Sequence, residues 1–454
     1  MTAKTTITFC SGVGTTTGAN FLLETEAGKN LIDCGLVQGS KFMEEINRNV
    51  FPYDVTSIKN LFITHAHADH IGRIPKLVHD GFRGIIWSTP ETRALCAVML
   101  PDILVQMRRE SGEQNIEPMY SNDDIDKAFE LWKVIPYHQI TTVDDFDITL
   151  LDAGHILGST MFEFVKNGKK IVFTGDLGNS PTPLLRDTEI ITDADYMVME
   201  SVYGDRNHEP KSERRAKLKR VINETIKRGG TIVIPAFSLE RTQVILYELN
   251  NLIEEKEIPT IPVFLDSPLA IKVTSVYKSF SQDFNKAVQQ EQMEGDNIFE
   301  FPSLKFVRTA EESKDIVRRQ GSKIIIAGSG MSTGGRVIHH EREFLGDPQS
   351  TILMIGYQVA GCLGRELQDG AKSVHIEGQD VAVKANVETI LGYSSHKDSD
   401  HLIEFVGNTA EKLKCVWVAM GEPKSSLFLT QRLRDYIGVN AVYPKVGETV
   451  TLDM

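Results

Sequence analysis

Within six residues, His65, His67, Asp69 and His70 offer three imidazoles and a carboxylate, in the run Thr64-His65-Ala66-His67-Ala68-Asp69-His70. These are the donor types of a hydrolytic zinc site. A solitary histidine is usually a hydrogen-bonded interior residue, but three of them with an aspartate at this spacing are hard to place in an ordinary polar loop. An extended turn could aim His65 and His67 at one cation and turn Asp69 and His70 toward a second. Four further residues have matching chemistry. His155 sits in Ala-Gly-His-Ile-Leu-Gly-Ser, Asp176 in Phe-Thr-Gly-Asp-Leu-Gly, and His396 in Gly-Tyr-Ser-Ser-His-Lys-Asp, while Asp33 ends Asn-Leu-Ile-Asp-Cys-Gly. Each alone is a weak signal, and Asp33 before its neighbouring glycine suits a turn equally well.

A second kind of chemistry lies in Gly328-Ser329-Gly330-Met331-Ser332-Thr333-Gly334-Gly335-Arg336, which follows an apolar run and enters a helical pattern. Ser329, Gly330, Ser332 and Arg336 could contact a substrate phosphate there. The segment lacks the lysine of a nucleoside-triphosphate loop, which excludes that function. Glycines for tight strand-to-helix packing explain it as well. Basic residues at Arg214, Arg215, Lys217, Lys219 and Arg220, and at Arg318 and Arg319, could meet a nucleic-acid backbone. Such charges are more often a solvated helix face.

The elements that must position these residues are legible from periodicity. Residues 5–35 alternate short apolar runs with glycine breaks, predicting a β-meander. Residues 60–65 read as a short buried strand leading into the histidine cluster. Residues 91–109 read as a helix broken or kinked near Pro101, and 121–132 as a more acidic helix. Strands return from about 140, each ending in a polar residue or glycine, where an α/β sheet displays its chemistry. After about 206 the pattern becomes strand–helix–strand with apolar strands, the mark of a parallel doubly wound unit. It opens with an amphipathic helix over 211–228, and Ser238 is a candidate N-cap for a later helix. Short strands and a helix near 425–436 close the chain.

The chain has 454 residues, 41 % hydrophobic and 24 % charged, which suits two or three globular domains and excludes a fibrous or wholly disordered chain. Its net charge of −13 excludes a protein that coats nucleic acid by bulk charge. Cys10, Cys34, Cys96, Cys362 and Cys415 are widely spaced, against a disulfide framework or a cysteine zinc site. With no secretory apolar segment and no run long enough to cross a bilayer, a cytoplasmic location and no membrane partner are expected.

The runs HAHADH, AGHILGS, FTGDLGN and YSSHKD resemble those of the metallo-β-lactamase superfamily. MESVYGDR (199–206), IPAFSLERTQVIL, FLDSPLA, AGSGMSTGGRVIHH and GYQVAGCLGREL narrow the resemblance to its β-CASP branch of RNA- and DNA-processing nucleases, over essentially the whole chain. It is most similar to the compact bacterial and archaeal members. The resemblance implies an α/β fold, an αββα sandwich of residues 1–206 and 385–454 with a parallel α/β β-CASP domain inserted at 207–384. It implies two zinc ions (Zn2+) per chain. His65, His67 and His155 would hold one, Asp69, His70 and His396 the other, and Asp176 would bridge them, with Asp33 orienting a ligand histidine. Glu200 matches the family's acidic motif. Its histidine partner, placed at His375 by a spacing of 21 residues before His396, would protonate the leaving group, and Asp69 would also handle protons; His339 and His340 are competing placements. The implied reaction is hydrolysis of RNA, single-stranded in preference to duplex, by a metal-activated water, endonucleolytic with scope for exonucleolytic action. A homodimer is among the assemblies the resemblance allows. A hydrolase for a small ester, thioester or lactam, and a non-catalytic processing partner, are the alternative functions. Compact members tend to carry His-Gly-Glu after a late strand, where this chain has Met420-Gly421-Glu422.

Overall fold

A computed structural model describes residues 4–39, 45–114, 116–356, 358–359 and 361–454. Tyr357 and Ala360, in the GYQVAGCLGREL run, therefore lie outside the described residues. The chain divides into two compact units, residues 1–207 with 396–454, and residues 208–395.

The first unit contains two seven-stranded sheets. One runs β1 (Thr5–Ser11), β2 (Asn20–Glu24), β3 (Lys29–Ile32), β4 (Ile58–Phe62), β5 (Ile85–Ser88) and β6 (Trp132–Val134), with the late strand Thr449–Leu452 beside β1. Strands β1–β3 form the expected antiparallel meander, and β3 through β6 are parallel. The other sheet contains β7 (Thr141–Val143), β8 (Phe146–Asp152), β9 (Thr160–Lys166), β10 (Lys169–Phe173) and β11 (Tyr196–Met199), flanked beyond β11 by Cys415–Val418 and Ala441–Val442.

Strand alternation explains how the two sheets stack. Phe162 and Phe164 of β9 face the shared core with Phe62, Phe21 and Ile32 of the other sheet. Met161 of β9 and Val172 of β10 point the opposite way, into a core capped by Leu402, Phe405 and Val406 of helix Ser399–Gly407 and by Leu429 of helix Pro423–Arg432. Phe62 meets Phe162 and Phe164 edge-on, with ring centroids 5.5 and 5.0 Å apart. The result is a helix-covered sandwich. Helix Pro90–Gln114 runs through Pro101 as one element, not as two, with Leu95, Leu100, Ile103 and Leu104 buried on both sides of the proline; packing of that face overrides the local penalty.

The second unit is one parallel sheet in the order β14-β13-β15-β12-β16-β19, from β12 (Thr231–Pro235), β13 (Val263–Asp266), β14 (Leu304–Phe306), β15 (Lys323–Ala327) and β16 (Thr351–Ile355). A two-stranded ribbon, β17 (Ser373–Ile376) and β18 (Gln379–Ala382), precedes the last strand, β19 (Asn386–Ile390). The composition change near 384 suggests that the chain has already returned to the first unit there, but β19 pairs in parallel with β16. Ser238 does not cap the following helix, which starts at Arg241 with Glu240 in a left-handed conformation at φ 64°. The basic side chains on helix Lys211–Lys227 are paired with acids: Arg215 with Glu255, Lys217 with Glu209 and Glu213, Lys219 with Glu257, and Arg220 with Glu224 and Glu388. Among the described residues no helix is long and apolar enough to cross a membrane.

Replacing Phe62 by Ala removes a fully buried ring from the seam between the two sheets. It should cost about 3–5 kcal/mol, read as a lowered midpoint for unfolding of the first unit in a denaturant titration followed by near-ultraviolet circular dichroism.

Candidate metal centre

Strand direction brings the candidate residues to one edge of the sandwich. In the first sheet β3 and β4 are parallel, so Asp33, just past β3, and the 63–70 segment, just past β4, leave at the same end. In the second, β8 and β10 are each antiparallel to β9 and hence parallel to one another, and β11 is parallel to β10. His155, Asp176 and Glu200 follow these strands. The two edges meet where Thr160 N donates to Thr64 O at 2.8 Å. His396 enters through an isolated bridge to Gly178. Two glycines permit the closeness. A Cβ on Gly35 would lie 1.5 Å from Asp69 O, and one on Gly175, at φ 54°, would lie 2.7 Å from Thr64 Cβ.

Four donor atoms form one tight group. His65 Nε2 is 3.0 Å from His67 Nδ1, and His155 Nε2 is 3.2 Å from the same atom. Asp176 Oδ2 is 3.4 Å from His65 Nε2 and 3.6 Å from His155 Nε2. Tetrahedral zinc with bonds of ~2.0–2.1 Å separates neighbouring donors by roughly 3.3–3.4 Å, so this set fits a single cation. Burial holds His67 and His155 well below the ordinary imidazole range, which leaves both rings neutral and able to ligate.

A second position lies on the other side of Asp176. His70 Nε2 is 3.5 Å from Asp176 Oδ1 and 3.9 Å from Asp69 Oδ2. Both His70 Nε2 and Asp176 Oδ1 are buried without a partner in hydrogen-bond geometry, an arrangement a bound cation would satisfy. Asp33 sets the ring. Its Oδ2 meets His70 Nδ1 at 2.7 Å and accepts from Thr64 Oγ1 at 2.8 Å, while its Oδ1 accepts Thr64 N at 2.8 Å. The carboxylate therefore turns the opposite nitrogen of His70 toward Asp176. Burial opposes a charged His70, but Asp176 and Asp33 outweigh it and raise the imidazole well above its usual range. Burial likewise opposes ionisation of Asp176, but His70 and His65 outweigh it and hold the carboxyl well below its usual range. Burial pushes Asp69 up.

Glu200 has a histidine partner, and it is His396. The His396 Nδ1 to Glu200 Oε1 distance is 3.2 Å, and Nδ1 lies 4.0 Å from Asp176 Oδ2. Leu177 N donates to Glu200 Oε1 at 2.6 Å. Burial raises Glu200; for His396, burial is outweighed by Glu200 and then Asp176, lifting it to about 9. Glu200 and His396 thus meet within the first unit, whereas His375, placed as the partner by spacing, belongs to the second. Alternation along β17 buries Val374 and Ile376 and turns His375 outward, where it is 67 % exposed and bonds Asp380 of β18 at 2.9 Å. His340 Nε2 meets Asp266 Oδ2 at 2.6 Å in the second unit, and His339 Nδ1 accepts from Arg342 at 3.1 Å.

The residues expected to touch substrate are largely engaged by their own unit. Arg336 donates to Asp266 Oδ1, Val307 O and Arg308 O. Ser332 donates to Glu341, Ser329 shares a contact with Thr333, and Gly330 O accepts from Gln358. Thr64 is the residue that sequence reasoning passed over. Its hydroxyl lies within 3.3 Å of Asp33, His65 and His70, and its only sequence signal is its place immediately before the cluster.

The Metallo-beta-lactamase superfamily domain matches residues 22–202, the Beta-Casp domain residues 242–367, and the Zn-dependent metallo-hydrolase RNA specificity domain residues 380–444. The chain is 34 % identical over 390 residues to Ribonuclease TTHA0252 of Thermus thermophilus, covering 86 % of this chain and 88 % of that one. It is 31 % identical to the RNase J-like protein of Methanocaldococcus jannaschii, covering 94 % of each, and 30 % identical to Transcription termination factor FttA of Thermococcus kodakarensis, covering 95 % of this chain and 69 % of that one. A crystal structure of a protein of unknown function from Enterococcus faecalis shares the fold over 99 % of this chain, with a TM-score of 0.58 at 13 % identity. Two stacked sheets converging on a His/Asp cluster, an added parallel sheet and these relatives lead to one assignment: the chain belongs to the β-CASP branch of the metallo-β-lactamase hydrolases.

Proposed function

We propose that this hydrolase is a zinc-dependent ribonuclease that cuts unpaired RNA internally by adding water to a phosphodiester. The carrying observation is the Asp176 carboxylate set between two donor groups, with His65, His67 and His155 on one side and Asp69 and His70 on the other. The names of the relatives supply the substrate class. When bound, two zinc ions supply an activated water and positive charge for the phosphoryl oxygens.

The chain's own residues do the rest. Asp33 and Thr64 keep His70 in one orientation. Asp69, half-buried in the cluster, takes the proton of the attacking water. As the new phosphorus–oxygen bond forms, the bond to the leaving ribose oxygen breaks, and His396, oriented by Glu200, protonates that oxygen. His396 replaces His375 in this role because it is the histidine that meets Glu200.

Digestion of labelled unpaired RNA, the same RNA as duplex, and a chromogenic ester distinguishes the functions. Unpaired RNA should be cut first, with internal fragments; hydrolysis of the ester alone would overturn the proposal, and so would inertness toward all three. Elemental analysis should find about two zinc ions per chain. Asp176→Ala should abolish cleavage with the fold intact. His396→Ala should lose roughly 10²–10⁴ in rate, while His375→Ala stays near wild type. Asp33→Asn should weaken zinc retention against a competing chelator by about 10–100-fold.

A further inference from the structure

The parallel sheet of the second unit has a feature that its chain order creates. Neighbouring strands β12 and β15 send their chains in opposite directions across the sheet, β12 through helix Arg241–Glu254 past β15 to β13, and β15 through helix Arg336–Phe344 past β12 to β16; right-handed crossovers in opposite directions leave on opposite faces. Such a switch point opens a crevice past the carboxyl ends of the two strands, and open α/β sheets bind ligands there. The loops flanking this one are 236–240 and 328–335.

Phe237 stands in the first loop and is 38 % exposed. One side of it lies against Gly330, where a Cβ would come 2.6 Å from Phe237 Cδ2 and 2.7 Å from Phe237 N. Its backbone is fixed: Thr242 N and Oγ1 both donate to Phe237 O, Gln243 Nε2 donates to Ser238 O, and Ala236 N donates to Ala327 O. Two hydroxyls stand at the same strand ends, one on the residue after Phe237 and both beside Gly328, two residues before Gly330. Ser238 and Ser267 Oγ are 3.3 Å apart, and they are the side-chain atoms nearest a Cβ built on Gly328, at 3.5 and 3.7 Å.

We propose that Phe237 is a stacking platform for one nucleobase of unpaired RNA, with the nucleotide's sugar toward the Ser238–Ser267 hydroxyls. The proposal rests on the ribonuclease reading. A single preorganised aromatic face with hydroxyls on the neighbouring residues suits a base with its ribose; an apolar protein surface would need a wider greasy patch. Stacking reads the π-face of any base, so the site is indifferent to sequence.

The test uses the full chain carrying Asp176→Ala, so that RNA survives, and an unpaired oligonucleotide containing 2-aminopurine. Binding should quench the fluorophore. Adding Phe237→Ala should weaken binding roughly 5- to 150-fold, the range for one lost base–aromatic stack, and should relieve the quench. Phe237→Tyr and Phe237→Trp should retain both, which a loss of packing would not allow. With the metal-site residues intact, Phe237→Ala should raise KM for the same RNA by a similar factor and leave kcat within a few-fold. Unchanged affinity in Phe237→Ala, with the parent binding RNA, overturns the platform and leaves the ribonuclease reading standing. A parent that does not bind RNA, with the unsubstituted chain failing to cut it, overturns both. A change in oligomeric state with Phe237→Ala, at unchanged RNA affinity, assigns the ring to a contact between copies and also overturns it.

Discussion

Asp176 is buried with His65 and His155 Nε2 at 3.4 and 3.6 Å from one carboxylate oxygen and His70 Nε2 at 3.5 Å from the other. A lone carboxylate at that depth costs several kcal/mol in lost hydration, so its position is tenable only where positive or ligand-bearing groups surround it. The loops around it serve that requirement. The imidazoles must reach the carboxylate from separate strands, and they need backbone that bends sharply without a side chain in the way.

The two-sheet architecture meets this demand with few parts. Parallel strands end together, so β3, β4, β8, β10 and β11 deliver five loops to one edge. The aromatic seam of Phe62, Phe162 and Phe164 holds the sheets in register beneath that edge. Asp33 then removes the remaining freedom of His70 by bonding it and Thr64 together. The reactive groups are thus on loops, and the precision comes from rigid strands below them. The second unit applies the same rule to a different sheet, with Phe237 and Gly330 on loops beyond the carboxyl ends of β12 and β15.

Much of this was legible in the sequence, because local pattern is enough for it. The spacing of His65, His67, Asp69 and His70 declares a metal-type cluster, period-two runs declare the meander, and strand–helix alternation after 206 declares a parallel sheet. The candidate ligands in separate motifs, His155 and Asp176, each follow a strand, and strand ends are where such chemistry collects. Tertiary structure decided what depends on pairing between distant segments. Counting residues pairs His375 with Glu200; alternation in a ribbon turns its ring outward on the second unit, and within the first unit the bridge from Gly178 brings His396 to Glu200. Helix Pro90–Gln114 passes through Pro101 because burial of its face outweighs the local break. β19 joins the inserted sheet because β16 offers it an unpaired edge, a partner that lies 35 positions away in register and leaves no mark in composition. Sequence writes the local geometry and the donor chemistry; which donors meet is set by strand order, and strand order is a property of the folded chain.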